Sequence, residues 1–438
     1  VTARVSTAPP RGMRDVLPDE VERRDAATQR TLTVYRSHGF RRIETPALES
    51  LGLLAGSGGG ENEKLIFKVL RRGEDLKEAL RAGEGELADL GLRYDLTVPL
   101  ARYYAENHAR LPDPLKAIQI GPVWRADRPQ RGRYRQFTQC DIDVLGSASV
   151  LVEVELILAT AEALRAAFGL SELTIRINDR RVLGLIARHV GFVEEVQADF
   201  FIVFDKLDKI GPTGVVAELR EAGLDPAAVG RFEALLPTLQ KGEMSLAELR
   251  AACGARSDEG AAFEWLDTIV RTAGPELPPG AEVRFDPTLV RGMGYYTGTI
   301  FEAVTPAFAS SVAGGGRYDR MIGTLLGREV PACGFSIGFE RLIALQADQP
   351  AAAPPSGGPA DAARRIALLV EDGGDLPAAL ATARRLRGEG HLVSLETRRK
   401  NVSRQLEDLA THGFSTWATV EGAGPTTLKP ITARRSRP

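Results

Sequence analysis

The sequence predicts an α/β protein: an α+β core whose sheet is interrupted by a block of helices, followed by a small separate α/β domain. Three observations predict it. Strand-like runs (ELTIRIND at 172–179, then AEVRFDPTLV, GTIFEAV and PACGFSIGF after 280) flank a stretch of about 190–273 that reads as amphipathic helices, including ADFFIVFDKLDKI and TGVVAELREAGL. Residues 347–362 (ADQPAAAPPSGGPADA) cannot bury apolar surface and read as a linker. Beyond the linker, short strands alternate with helices: RIALLVE, a helix over 376–387, HLVSLET, a helix over 402–411. That alternation favours a mostly parallel sheet covered on both faces.

Taken in order, residues 19–38 form a charged helix, 42–46 open toward a strand, and GSGGG (56–60) is a loop without side chains to pin it. The stretch 121–146 (GPVWRADRPQRGRYRQFTQCDIDVLG) reads as two antiparallel strands around the long turn DRPQRGRYR. The expected organisation is a first core part over 1–190, a helical insertion over 191–277, a second core part over 278–346, the linker 347–362 and a small α/β domain over 363–438.

The 438 residues fit two to four domains, and 43% hydrophobic with 26% charged residues excludes a chain disordered throughout. Three cysteines without a CxxC pair exclude a disulfide framework and a cysteine-rich zinc site. With no run of about 18 apolar residues and no apolar centre in residues 1–10, the expected location is cytoplasmic. Charge is uneven. From residue 364 onward thirteen Lys or Arg face eight Asp or Glu, net +5, which leaves -7 for the rest of a chain whose total is -2. A basic end suits a polyanionic partner, although it also suits an ordinary solvated surface.

Four segments carry chemistry. The hairpin turn clusters Arg125, Arg128, Arg131, Arg133 and Arg135, and guanidiniums bind phosphate oxygens in a bidentate fork. On its return strand Gln139, Asp141 and Asp143 point to one face, where buried carboxylates need a cation: a substrate ammonium or an internal Arg. In LVRGMGYYTGTIFE (289–302), Arg291 follows an apolar strand and precedes glycines and two tyrosines, a setting for close backbone approach and hydroxyl donors. VAGGGRYD (312–319) fits neither GxxxxGK[ST] nor GxGxxG, so neither nucleotide fingerprint is supported. In CGFSIGFERL (333–342) a strand runs into a helix at Glu340 and Arg341. Such a pair is commonly surface capping, but its Arg can also reach phosphate from the sheet edge.

Together these segments resemble the histidyl-tRNA synthetases, a class II aminoacyl-tRNA synthetase family, from PRGMRDVLP (10–18) to GFERL (338–342), with a weaker likeness over the C-terminal domain. ETPALE, with Pro46, resembles motif 1, the Arg125 hairpin motif 2, and GFSIGFERL motif 3. RYDLTVPLARYY (93–104) and LVRGMGYYTGTIFE are similar to segments specific to the family and its paralogues. The fold so implied is the class II antiparallel sheet flanked by helices. The activity so implied is activation of L-histidine with ATP, with Mg2+ held mainly by the nucleotide, and transfer to the 3′ end of tRNA(His).

The resemblance also implies roles. Arg125 and Arg341 would bind the α- and γ-phosphates and Phe137 would stack on adenine, with Asp127 and Arg133 also at the ATP site. Asp95, Thr97, Gln139 and Asp143 would hold the amino group of histidine, Tyr296 and Tyr318 would close on its imidazole side, and Tyr295 would join them. Arg291 would contact both the carboxylate and the α-phosphate. Arg128 and Gln130 would meet the tRNA acceptor end, and a homodimer would form around Pro46. Gly294 and Asp127 stand where Asp and Glu are commoner in the family. Two paralogous activities share much of this pattern: a regulatory subunit of ATP phosphoribosyltransferase, and an adenylating ligase with a non-tRNA acceptor.

Overall fold

The computed structural model describes residues 6–56, 62–82, 87–129, 134–240, 245–254, 260–291, 295–348, 364–371, 375–411, 413–420 and 427–431. The GSGGG loop beyond Gly56 and nearly all of the expected linker lie outside the described residues. Contacts divide the chain into two units, Val1–Asp348 and Gln349–Pro438.

In the first unit, helix α1 (Pro18–Ser37) starts on a proline whose missing N–H costs nothing at a helix N-terminus. It leads to β1 (Arg41–Arg42), far shorter than the expected strand over 42–46. Next come β2 (Leu48–Ser50), α2 (Leu51–Gly56), β3 (Phe67–Leu70), α3 (Gly73–Ala82) and β4 (Ala88–Leu92). Strands β2, β4 and β3 make a small antiparallel sheet. Arg93, just after it, donates to the carbonyls of Thr45, Pro46 and Pro122, tying the segment around Pro46 to the hairpin.

Helix α4 (Thr97–Asn107) precedes the hairpin β5 (Leu115–Trp124) and β6 (Gln136–Leu145), antiparallel as the sequence predicts. Then follow α5 (Leu151–Phe168) and β7 (Leu173–Asp179). The helical block is α6 (Arg180–Val190), α7 (Glu194–Phe204), α8 (Leu207–Glu221), α9 (Pro226–Gln240), α10 (Leu246–Ala252) and α11 (Gly260–Ala273). It begins ten residues before the change of pattern near 190, because Asp179 caps α6 by accepting from the Arg181 N–H at 2.8 Å. The block has a structural reason to exist. Strands β7 and β8 (Ala281–Phe285) pair in parallel, which a tight turn cannot connect. Inside the block Phe200 packs against Phe192, Phe204 and Phe232, with ring centroids 4.7–5.4 Å apart.

Strand β8 ends at Phe285, so the expected apolar strand leading into Arg291 stops early; Asp286 breaks it by accepting from the N–H and hydroxyl of Thr288. Strands β9 (Thr299–Thr305) and β10 (Phe308–Arg317), helix α12 (Asp319–Leu326), β11 (Ala332–Ile337) and α13 (Phe339–Asp348) complete the unit. The large sheet has eight strands in the order β1-β5-β6-β11-β10-β9-β7-β8, antiparallel except at its two ends. Cys140, Ile142 and Val144 of β6 share one apolar core with Leu32 and Tyr35 of α1 and Leu156 and Ile157 of α5. Because side chains alternate along a strand, Gln139, Asp141 and Asp143 face the other way.

In the second unit β12 (Arg365–Val370), α14 (Leu376–Gly388), β13 (Leu392–Thr397), α15 (Val402–Thr411), β14 (Thr416–Thr419) and β15 (Lys429–Pro430) follow in order. Strands β13, β12 and β14 are parallel and β15 is antiparallel. Ile366 and Leu368 pack with Ala383 and Leu386 of α14, while Ala367 and Leu369 pack with Leu409 of α15, so both faces are covered. Among the described residues no helix is long and apolar enough to cross a membrane.

Candidate active site

The site lies on the sheet face turned away from α1 and α5, and strand register builds its floor. Asp141 of β6 pairs with Ser336 of β11, Ser336 with Gly314 of β10, Gly314 with Glu302 of β9, and Glu302 with Arg176 of β7. One row of the ladder therefore carries polar or bare positions across five strands. One turn of the pleat away, Asp143 pairs with Gly334 and Gly334 with Gly316. The glycines are required by space. A Cβ on Gly334 would stand 1.9 Å from Asp143 Oδ1, and one on Gly314 would stand 2.5 Å from Arg291 Nη2. Glycine lets a carboxylate and a guanidinium lie directly over the backbone.

Asp95, Thr97, Arg125, Phe137, Gln139, Asp143, Arg291, Tyr295, Tyr296, Tyr318 and Arg341 all line one pocket. Their segments span almost 250 positions of sequence, so the fold brings together what the sequence scatters. Asp127 and Arg128 are not among the lining residues. The Asp127 carbonyl accepts from Arg135 Nε at 3.0 Å, and Arg128 is exposed. Gln130, Arg131 and Arg133, like Gly294, lie outside the described residues.

Three acceptors in this pocket stand out. Asp95 Oδ1 accepts from the Val98 N–H at 3.0 Å, at the start of α4, while its Oδ2 has no hydrogen-bond partner among the described residues. Gln139 donates from Nε2 to Asp141 and to Ser336 Oγ, leaving Oε1 without a partner among the described residues. Asp143 Oδ1 accepts from the Tyr318 hydroxyl at 2.6 Å, and its Oδ2 is likewise without a partner. Burial pushes the Asp95 carboxyl up to about 6, with the Val98 N–H and the charge of Arg125 pulling partly back, and that of Asp143 up to about 7, with the Tyr318 hydroxyl pulling partly back. Asp141 is pushed well up, first by burial and then by the charge of Asp143. The internal Arg that could have satisfied Asp143 is not its partner; a tyrosine is. A buried acceptor left unmade is costly, and three in one cavity make a socket for donors, preferably cationic ones.

The cations stand around this socket. Arg125 donates from Nε to the Tyr94 carbonyl at 2.9 Å, and its guanidinium lies 5.1 Å from the Phe137 ring centroid. Arg291 pairs with Glu302 at 2.9 Å. Arg341 donates from Nη1 to the Ser311 carbonyl at 2.6 Å, so it faces the pocket rather than capping a surface helix. Glu340 corrects the capping expectation too. It is 9% exposed, binds Arg24 of α1 through both oxygens at 2.6 and 2.7 Å, and accepts from the Thr138 N–H. Adjacent positions at the helix start thus divide the work: Glu340 holds α1 and Arg341 serves the pocket.

Sequence reasoning missed Ser336, Glu302 and the reason for the glycines, and left Asp141 without a role at the site. A charge inside the apolar strand TIFEAV was the available signal for Glu302. Nothing in one sequence marks Ser336, whose place is set by cross-strand register.

The chain is similar to known proteins over most of its length. A sequence model of the histidyl-tRNA synthetase family matches residues 12–342, which holds every pocket residue named above. The chain is 47% identical to a histidine–tRNA ligase of Leifsonia xyli subsp. xyli over 97% of this chain and 98% of that one. It is 40% identical to one of Gloeobacter violaceus over 76% and 74%. A crystal structure of histidyl-tRNA synthetase from Nostoc sp. PCC 7120 superposes with a TM-score of 0.76 at 26% identity, covering 98% of this chain and 95% of that one. With fold, sequence and the convergence of its distinguishing segments in one pocket all in agreement, the chain belongs to the histidyl-tRNA synthetase family.

Proposed function

We propose that the protein activates L-histidine with ATP, forming histidyl-adenylate and pyrophosphate, and transfers the histidyl group to the 3′ end of tRNA(His). The observation that carries this reading is the set of three acceptors without a partner among the described residues, Asp95 Oδ2, Gln139 Oε1 and Asp143 Oδ2, inside a pocket that also presents Arg125, Arg291 and Arg341. An amino acid with a cationic amino group and a ring N–H meets the acceptors, and a triphosphate meets the arginines. Asp95, Thr97, Gln139 and Asp143 hold the amino group. Tyr318, whose hydroxyl donates to Asp143, lies on the imidazole side, where Tyr295 and Tyr296, ring centroids 4.8 Å apart, close the wall.

In the reaction the histidine carboxylate oxygen attacks the α-phosphorus in line, the bond to the β-phosphate oxygen breaks, and pyrophosphate leaves with the electron pair. Arg291 bridges the two anions that must meet, while Arg125 and Arg341 hold the phosphates, so the protein contributes positioning and fixed charge rather than a nucleophile. A terminal ribose hydroxyl of the tRNA then attacks the carbonyl carbon and AMP leaves. Magnesium would arrive on the nucleotide, because the arginines that line the pocket are assigned here to the phosphates and its carboxylates to histidine. Bound there, it would neutralise charge on the phosphates. Histidine-dependent ATP–pyrophosphate exchange, with other amino acids as controls, and charging of a tRNA(His) transcript test the whole reading. Exchange without charging points to another acceptor, and no exchange with any amino acid to a binding module.

Asp143→Asn should weaken histidine binding by about 1.5–3 kcal/mol and leave ATP binding unchanged, since the amide keeps the shape and loses the charge. Titration calorimetry measures both. An ammonium favours ionised carboxyls, so histidine affinity should strengthen as pH rises through about 6 to 7, and the variant should lose the part due to Asp143. Stability has the opposite sign. Carboxyls raised in the folded state favour folding below the usual carboxylate range, a contribution lost as pH rises through about 6 to 7.

We assign tRNA recognition away from the pocket to the second unit, basic in sequence. Ending the chain after Asp348 should spare adenylate formation, because the first unit has its own core, and should reduce tRNA charging by removing salt-sensitive phosphate contacts. Equal charging by both forms across a salt series would give the second unit another task. The proposed homodimer forms around Pro46, beside which Leu48 and Leu90 stand exposed on the small sheet. Sedimentation of the shortened chain at twice its mass checks this.

A further inference from the structure

We propose that Glu302 is a positioning residue for adenylation: it fixes the guanidinium of Arg291 over the bare backbone at Gly314, and Arg176 fixes Glu302 in turn. The inference rests on the reading of Arg291 given above and adds the device that aims it.

Arg291 lies beyond the end of β8, where Ile177 and Asn178 of β7 hold the backbone only as far as Leu289, and its long side chain must be ordered by something else. Glu302 supplies that. Its Oε2 accepts from Arg291 Nη1 at 2.9 Å, and its Oε1 accepts from Arg176 Nη2. A carboxylate held from both sides cannot turn away. The row Arg176, Glu302, Gly314 lies in register on β7, β9 and β10, so the anchor and the bare strip beside it are set by the sheet itself. Arg176 is itself fixed, with Asp286 at 3.4 Å and Asp208 of α8 at 3.3 Å as further partners. Glu302 does not line the pocket, whereas Arg291 does. Among the described residues Arg291 gives one N–H, to Glu302, and a guanidinium carries five donors, so the others can serve a ligand.

The test is pyrophosphate exchange by the full chain with Glu302→Gln, Arg291→Ala and the double variant. Glu302→Gln should lower kcat by about a hundredfold, the scale of a misplaced catalytic group, with little change in the KM for ATP. In the Arg291→Ala background the same substitution should change kcat by less than about twofold, because the group it aims is gone. Glu302→Asp, which keeps the charge, should recover part of the loss. A single variant within about threefold of wild type overturns the proposal, as do losses that multiply in the double variant, the mark of a general structural effect. If Glu302→Gln does not fold, Arg176→Gln takes its place with the same non-additivity expected. Absence of histidine-dependent exchange in the wild type would instead overturn the proposed function, and this inference with it.

Discussion

Replacing Arg291 by Ala should slow histidyl-adenylate formation about a hundred- to thousandfold, or about 2.7–4 kcal/mol of transition-state stabilisation, the usual cost of losing one preorganised donor. The side chain is held by Glu302 and lies against Gly314, where a Cβ would stand 2.5 Å from its Nη2. It is thus in place before the reactants arrive. In the proposed reaction it spans the histidine carboxylate and the α-phosphate, two anions that repel until they are brought to attacking distance. Lys offers a single point of charge and cannot serve both, so Arg291→Lys should recover little. Stopped-flow or exchange kinetics give the rate, and retained ATP binding shows that the pocket survives. A loss below about threefold would remove Arg291 from the mechanism.

The largest effect on stability should come from Glu153, which is fully buried in α5. Arg317 grips it through Nε at 2.8 Å and Nη2 at 2.7 Å, and Trp265 of α11 donates to it from Nε1 at 3.0 Å. Glu153→Ala would leave a guanidinium that is itself 6% exposed with Asp319, at 3.3 Å, as its remaining anionic partner among the described residues, and breaking a buried pair costs up to about 3–5 kcal/mol. Replacing both partners by Met should cost much less, since the pair's own desolvation penalty is removed with it. Urea midpoints of the two variants and the wild type decide the matter. Equal losses for the single and double variants would show that packing, not charge, is what Glu153 provides. The pair also stands behind the site, because Arg317 immediately precedes Tyr318, the partner of Asp143.

Much of the site was legible because its chemistry is concentrated in short segments. The hairpin strands follow from alternation in FTQCDIDVL, and the single face shared by Gln139, Asp141 and Asp143 follows from the two-residue period of a strand. The second unit was legible for the same reason: RIALLVE and HLVSLET are short apolar strands, and the helices between and after them have clear spacing. The misreadings occurred where local pattern and tertiary demand diverge. Glu340-Arg341 looks like an exposed helix start, and only the arrival of Arg24 from α1 makes its glutamate a buried tie. VRFDPTLV looks like one strand, yet the local hydrogen bonds of Asp286 end it after Phe285.

By itself, the sequence determined which residues carry charge, which runs become strands or helices, and which family these segments resemble, because all of these depend on neighbours within a few positions. Only the tertiary structure decided which charges are satisfied. Asp143 could have met an arginine and instead meets Tyr318, 175 positions away; Glu153 meets Arg317 across 164. The glycines of VAGGGRYD and CGFSIGFERL gained their meaning in the same way, when the fold set Gly314 beneath Arg291 and Gly334 beneath Asp143. Such partnerships follow from strand order and register, which the packing of the whole sheet fixes, and burial then makes them decisive, since a charge or acceptor removed from water must find its partner wherever the fold supplies one.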